Sequence, residues 1–119
     1  MRTVVEVGDW EHECCGPPYE RDTVVEVVCR IVSGRDHAAT RYLESHHDLT
    51  TQHDVIRVRG RVVDICIQHL DGSTEQIERL PSGRALRGFD EGDDGHLDHP
   101  WTREPVAYDS NTFFVIIAS

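Results

Sequence analysis

Lysine is missing: all twelve basic residues are arginine, so Schiff-base and other chemistry on a lysine amine is excluded. Aromatics are few, two Trp, three Tyr and three Phe, and a core must therefore rest on Val, Ile and Leu. Positive charge is scarce as well. Twelve basic residues face 22 acidic ones, a formal net charge of −10 at pH 7. Counterion release from a phosphate backbone needs a basic face, so this balance argues against unspecific nucleic-acid binding. Anionic membrane surfaces are disfavoured on the same ground. No apolar run reaches the length of a membrane span, and the opening Met1-Arg2-Thr3-Val4-Val5-Glu6 lacks the apolar stretch of a signal peptide. Four cysteines without an export signal point to the reducing cytosol, and so to free thiols or metal ligands rather than disulfides.

What is present is β-branched. A chain of 119 residues suits one domain, 1–119, with a single core. Thr3 to Val7 reads as a first strand closed by Gly8-Asp9. A rigid connection follows, Trp10-Glu11-His12-Glu13-Cys14-Cys15-Gly16-Pro17-Pro18-Tyr19. Thr23 to Val32 alternates with period two, placing Val25, Val27, Cys29 and Ile31 on one apolar face and Cys29 in the core. Ser33-Gly34-Arg35-Asp36 resembles a capping box, and Ala38, Ala39, Tyr42 and Leu43 at helical spacing predict a short helix ending near His46-His47-Asp48.

Val55 to Leu70 is a second long β stretch with a change of parity. Ile56, Val58 and Val62 share one face, whereas Val63, Ile65 and Ile67 share the other. Both halves can face the core only across an inserted residue, which predicts a bulge or bend at Gly60 to Val63. Beyond it Cys66 falls with Asp64 and Gln68, away from the core. Asp71-Gly72 and Pro81-Ser82-Gly83 are turn signals around a short strand, Thr74 to Leu80. Arg87 to Pro100 reads as a loop. Thr112 to Ala118 is apolar on both faces and predicts a central strand.

Cysteine and histidine supply the candidate chemistry. Zinc needs three or four convergent Cys, His or carboxylate ligands, and close pairs occur in three places: His12, Cys14 and Cys15; His46 and His47; Cys66 and His69. The metal candidates are therefore Cys14, Cys15, His46, His47, Cys66 and His69. Against this stand the lack of a C-x2-C spacing and the opposite faces that Cys66 and His69 take on a regular strand; solvated or helix-capping histidines are the bland alternative. Cys14 or Cys15 with His46 or His47 and Asp48 or Asp64 meets the composition of a nucleophile, base and orienting acid, but eight His and 22 acids make such triples easy to assemble. The acidic loop Asp90 to His99 lacks the closing Glu of an EF-hand, since Trp101 stands at the twelfth position; it reads as a solvated loop, with His96 and His99 weak metal candidates. Trp10, Tyr19 and Trp101 are either packing anchors or an aromatic patch for a small ligand or peptide.

The opening Trp10-x3-Cys14-Cys15-Gly16-x-Pro18-Tyr19, the later Glu44-x-His46-His47 and the strand Gly60-Arg61-Val62-Val63-Asp64-Ile65 resemble a family of small bacterial proteins of unknown function. The similarity covers roughly the first 70 residues and continues more faintly through Pro81-Ser82-Gly83. Arg21-Asp22-Thr23-Val24 departs from the family's Gly-Asp strand entry. The resemblance implies an intracellular bacterial protein and assigns no activity, but it joins the Cys-Cys and His-His pairs in one pattern.

The expectation is an α+β, mainly β domain: a strongly bent antiparallel sheet or small open barrel of SH3-like or OB-like form with one short helix. The expected function is a cytoplasmic binding or interaction module, with zinc as the one cofactor in view and no nucleic-acid or membrane partner. Fold alone would not assign more. A small cysteine- or metal-dependent enzyme is the alternative reading, and an exposed sheet edge leaves a homodimer open.

Overall fold

A computed structural model describes residues 2–8, 12, 16–32, 41–45 and 55–119. Its strands are β1 (Arg2–Gly8), β2 (Tyr19–Glu20), β3 (Val24–Val32), β4 (Arg41–Glu44), β5 (Val55–Gln68), β6 (Thr74–Gln76), β7 (Arg79–Leu80) and β8 (Thr112–Ala118), with a single-turn helix α1 (Gly83–Leu86). Six strands form one sheet in the order β3-β4-β1-β8-β5-β6, while β2 and β7 pair separately. The pairings are antiparallel except β1 with β4, which is parallel. The result is the α+β, mainly β, strongly bent sheet that the strand patterns imply.

The bend is built into β5. Its first half pairs with β3, from Val24↔Arg61 to Arg30↔Val55, and its second half pairs with β8, from Arg61↔Ala118 to Gln68↔Thr112. Strand β3 also pairs with β4, so the sheet curls back and its β3 end meets β5 again. The register shifts between Val62 and Asp64, where the parity change requires an extra residue. Val58 and Val62 are buried before the shift; Ile65 and Ile67 are buried after it. Val62 finds backbone partners outside its ladder, accepting from Asp22 N–H at 2.8 Å and donating to Thr23 O at 2.9 Å. Gly60 sits where the backbones crowd: a Cβ there would lie 2.2 Å from the Ala118 carbonyl oxygen.

Strand β8 lies between β1 and β5, the central place expected of its two apolar faces. Phe113, Val115 and Ile117 point into the core with Val5, Val7, Val27, Cys29, Leu80 and Ile77. Cys29 is fully buried, as the alternation in β3 demands, and burial pushes its thiol up to about 11.

Two elements differ from the sequence-based expectation. The helix expected to run from Ser33 to the His46-His47 pair does not hold Tyr42 and Leu43; residues 41–44 are β4, hydrogen-bonded to β3 on one side and to β1 on the other. Apolar residues at i and i+1 of successive turns fit a helix face locally, but two waiting strand edges override so weak a preference. Residues 33–40 and 46–54 lie outside the described residues. A short helix among the described residues is α1, where Ser82 is the N-cap and its hydroxyl accepts from Ala85 N–H at 3.2 Å. The strand expected over Thr74 to Leu80 is split. Ile77 N–H still bonds Ile65 O, but Glu78 N–H turns to Asp98 O at 2.8 Å, and β7 leaves to pair with β2.

Candidate ligand cleft

The small β2–β7 ladder places Glu20 opposite Arg79. The loop after α1 returns over this pair and is tied down at its far end. Leu97 and Val106 are buried and joined by Val106 N–H to Leu97 O at 2.8 Å, and His99 N–H donates to Glu104 O at 2.8 Å. Ahead of these anchors, short side chains fold the loop on itself: Asp90, Asp93 and Asp94 accept from the N–H groups of Gly92, Gly95 and His96. The turns leave an open cleft of about 610 Å³, lined by Glu20, Arg79, Glu91, Gly92, Asp93, Asp94 and His96.

The cleft is acidic despite its arginine. Arg79 grips Asp93 with two parallel hydrogen bonds of 2.6 and 2.7 Å, so its charge is answered within the wall. That guanidinium pulls the Asp93 carboxyl down to about 2. His96 is raised, first by its contact with Asp94 and then by the charges of Asp94 and Asp98. With Arg79 on Asp93 and His96 on Asp94, Glu20 and Glu91 remain as the excess negative charge of the lining. One donor atom from each of Asp93, Asp94 and His96 falls within 4.8 Å of the others, a spacing that a metal ion could bridge.

Of the described residues singled out from the sequence, His96 lines this cleft, whereas Tyr19, Cys66, His69 and Trp101 do not. Trp10, Cys14, Cys15, His46 and His47 are outside the described residues. Cys66 lies within β5 and His69 just past its end at Gln68; among the described residues the grouping of three metal-type donors is Asp93, Asp94 and His96, without either of them. Both His69 ring nitrogens contact carboxylates, Asp109 at 2.8 Å and Glu75 at 2.9 Å. Burial, and then Asp64, raise the Cys66 thiol above its usual value, so neither Cys29 nor Cys66 has the lowered pKa of a reactive thiol. Tyr19 is a core side chain, 3% exposed, rather than a surface aromatic. Trp101 is 68% exposed, with the Arg21 guanidinium 5.9 Å and the His99 ring 5.6 Å from its own ring.

His12 has a different role from its metal-candidate neighbours. It is 1% exposed, its Nε2 lies 2.9 Å from Pro81 O, and Nδ1 lies 3.8 Å from Glu44 Oε1. A carbonyl can only accept, so Nε2 carries the hydrogen. Gly16 packs directly on this ring; a Cβ there would be 2.0 Å from Nδ1. Gly16 N–H bonds His12 O, and Gly83 N–H bonds Gly16 O, which joins Gly16 to the start of α1. The glycine of that motif is thus explained by a buried imidazole. The Arg79 to His96 cleft was legible only as an acidic loop, because its second wall comes from β2 and β7.

Fold and site together define a small β-rich protein with an open, acidic surface cleft. The model of a family of unknown function, DUF6578, matches residues 1–106, and the chain belongs to that family. No curated protein and no solved structure matches the chain.

Proposed function

We propose that this protein is a binding module that takes a cationic ligand, a basic segment of a protein partner, in the cleft between the β2–β7 pair and the Glu91 to His96 loop. The observation that carries this reading is the carboxylate charge of Glu20 and Glu91, left over in a cleft where Arg79 is already bound to Asp93 and His96 to Asp94. A net charge of −10 extends the same attraction beyond the cleft and speeds encounter with a basic partner. The test is calorimetric titration with a short arginine-rich peptide at low and physiological salt. Binding should weaken with salt and weaken again in a Glu20→Gln/Glu91→Gln variant. Absence of binding, or equal binding by the variant, rejects the reading.

The competing reading is a metal-dependent site, and the donor spacing of Asp93, Asp94 and His96 supports it. Zinc and calcium titrations in the absence of peptide separate the two. A structural zinc elsewhere, through Cys14 or Cys15, His46 or His47 and Cys66, belongs to the same proposal, supported by the close Cys and His pairs of the family-like motif. Elemental analysis of tag-free protein decides it: stoichiometric zinc is expected, and metal-free folded protein ends the idea.

A further inference from the structure

His69, at the end of β5, is gripped from two sides. Asp109 reaches Nδ1 at 2.8 Å and Glu75 reaches Nε2 at 2.9 Å. Asp71, in the turn between β5 and β6, adds a third negative charge that interacts with the ring. Among the described residues the charged groups facing the ring are thus acidic and come from β6, from the turn, and from the segment that enters β8. The ring itself is largely covered, with 13% of its side chain exposed.

The chemistry of imidazole makes this arrangement depend on a proton. A neutral ring has one N–H and can donate to one carboxylate, while its other nitrogen turns a lone pair toward the second. The imidazolium donates to both. The two arms differ in how else they are held. Glu75 lies in β6 opposite Ile67 and is fixed by that ladder. Asp109 lies outside the strands, in the strap of residues 107–111. The strap has further attachments, among them the Ser110 hydroxyl, which donates to Gln68 O at the end of β5, the Tyr108 hydroxyl, which donates to Asn111 Oδ1, and the Tyr108 ring, which stacks on Phe113 at 6.1 Å. The Asp109 side chain is thus the one arm of the strap that depends on the imidazole proton.

We propose that His69 is a protonation latch, which as imidazolium clamps the 107–111 strap to β6 and on losing its proton lets the Asp109 arm go. Release loosens the cover that Tyr108 provides over Phe113, a core residue of the central strand. The hydrogen bonds from Asp109 and Glu75 raise His69 above its ordinary value. The latch therefore holds below that raised value and opens as pH climbs through it. It does not depend on the cleft or on any ligand there.

The experiment is an NMR pH titration of the full chain, following the His69 ring and the backbone heteronuclear NOE of residues 109–111. In the native chain His69 should titrate above an ordinary histidine, and the NOE at 109–111 should fall in step with it. His69→Gln should abolish that step, and Asp109→Asn should lower the His69 midpoint. If His69→Gln does not fold, Asp109→Asn decides alone. A midpoint at or below the ordinary value, an NOE indifferent to the His69 titration, or a midpoint unmoved by Asp109→Asn overturns the latch.

Discussion

At the scale of single residues, several side chains act through what they touch far along the chain. Gly16 is the sharpest case, because its hydrogen faces the ring of a histidine that is itself held by Pro81 and lies beside Glu44. The ring has nowhere to retreat. Gly16→Ala should therefore lower stability by about 1–3 kcal/mol, the usual cost of overpacking a filled interior. Gly92→Ala is the control, since a Cβ there meets only Asp90 Oδ1 at 3.6 Å. Urea unfolding of both variants measures the difference; equal midpoints would show that the His12 pocket is not tightly packed.

At the scale of elements, β5 carries the architecture. Its fourteen residues serve β3 with one half and β8 with the other, and the extra residue at Val63 reconciles the two apolar parities. Deleting Val63 removes the insertion and shifts everything after it by one position. Ile65 and Ile67 would then turn outward, while Asp64 and Cys66 would turn toward the core. No local repacking offsets two buried isoleucines exchanged for a carboxylate and a thiol, at about 1.5–3 kcal/mol for each large apolar side chain lost from the interior. The deletion variant should fail to give a cooperative unfolding transition by circular dichroism. A conservative Val63→Ala, which keeps the count, should stay folded. A cooperative transition in the deletion variant would mean that the bulge does not set the register.

At the scale of the whole molecule, an excess of ten negative charges must be held together, and it is held by specific pairs rather than by general balance. Asp93 is drawn down to about 2 from an ordinary 3.8 by Arg79. A carboxyl lowered on folding contributes stability that is present above its ordinary value and lost as pH falls toward 2. His69 and His96 are raised by neighbouring carboxylates. Their contribution is complete below about 6.5, the ordinary histidine value, and fades as pH rises through the raised ones. The urea midpoint should therefore peak in mildly acidic solution and decline on both sides. Arg79→Gln should flatten the acid side and His69→Gln the alkaline side. A midpoint constant from pH 5 to 9 would refute the histidine part of the argument.

Period-two alternation determined, without help from the fold, that Cys29 is inside and Cys66 beside Asp64, that β5 carries a bulge, and that the last strand is central. Each follows from which face of a strand a residue takes, and facing is a local property that neighbours i and i+2 encode. The tertiary structure alone decided that Tyr42 and Leu43 belong to a strand, because the edges of β1 and β3 that capture them are distant in the chain. It also decided that Tyr19 is core while Trp101 is surface, that His69 meets Asp109, and that Arg79 closes the acidic loop into a cleft. Those contacts join residues separated by 40 and 14 positions, and a short-range pattern holds no record of which distant carboxylate a given cation will meet.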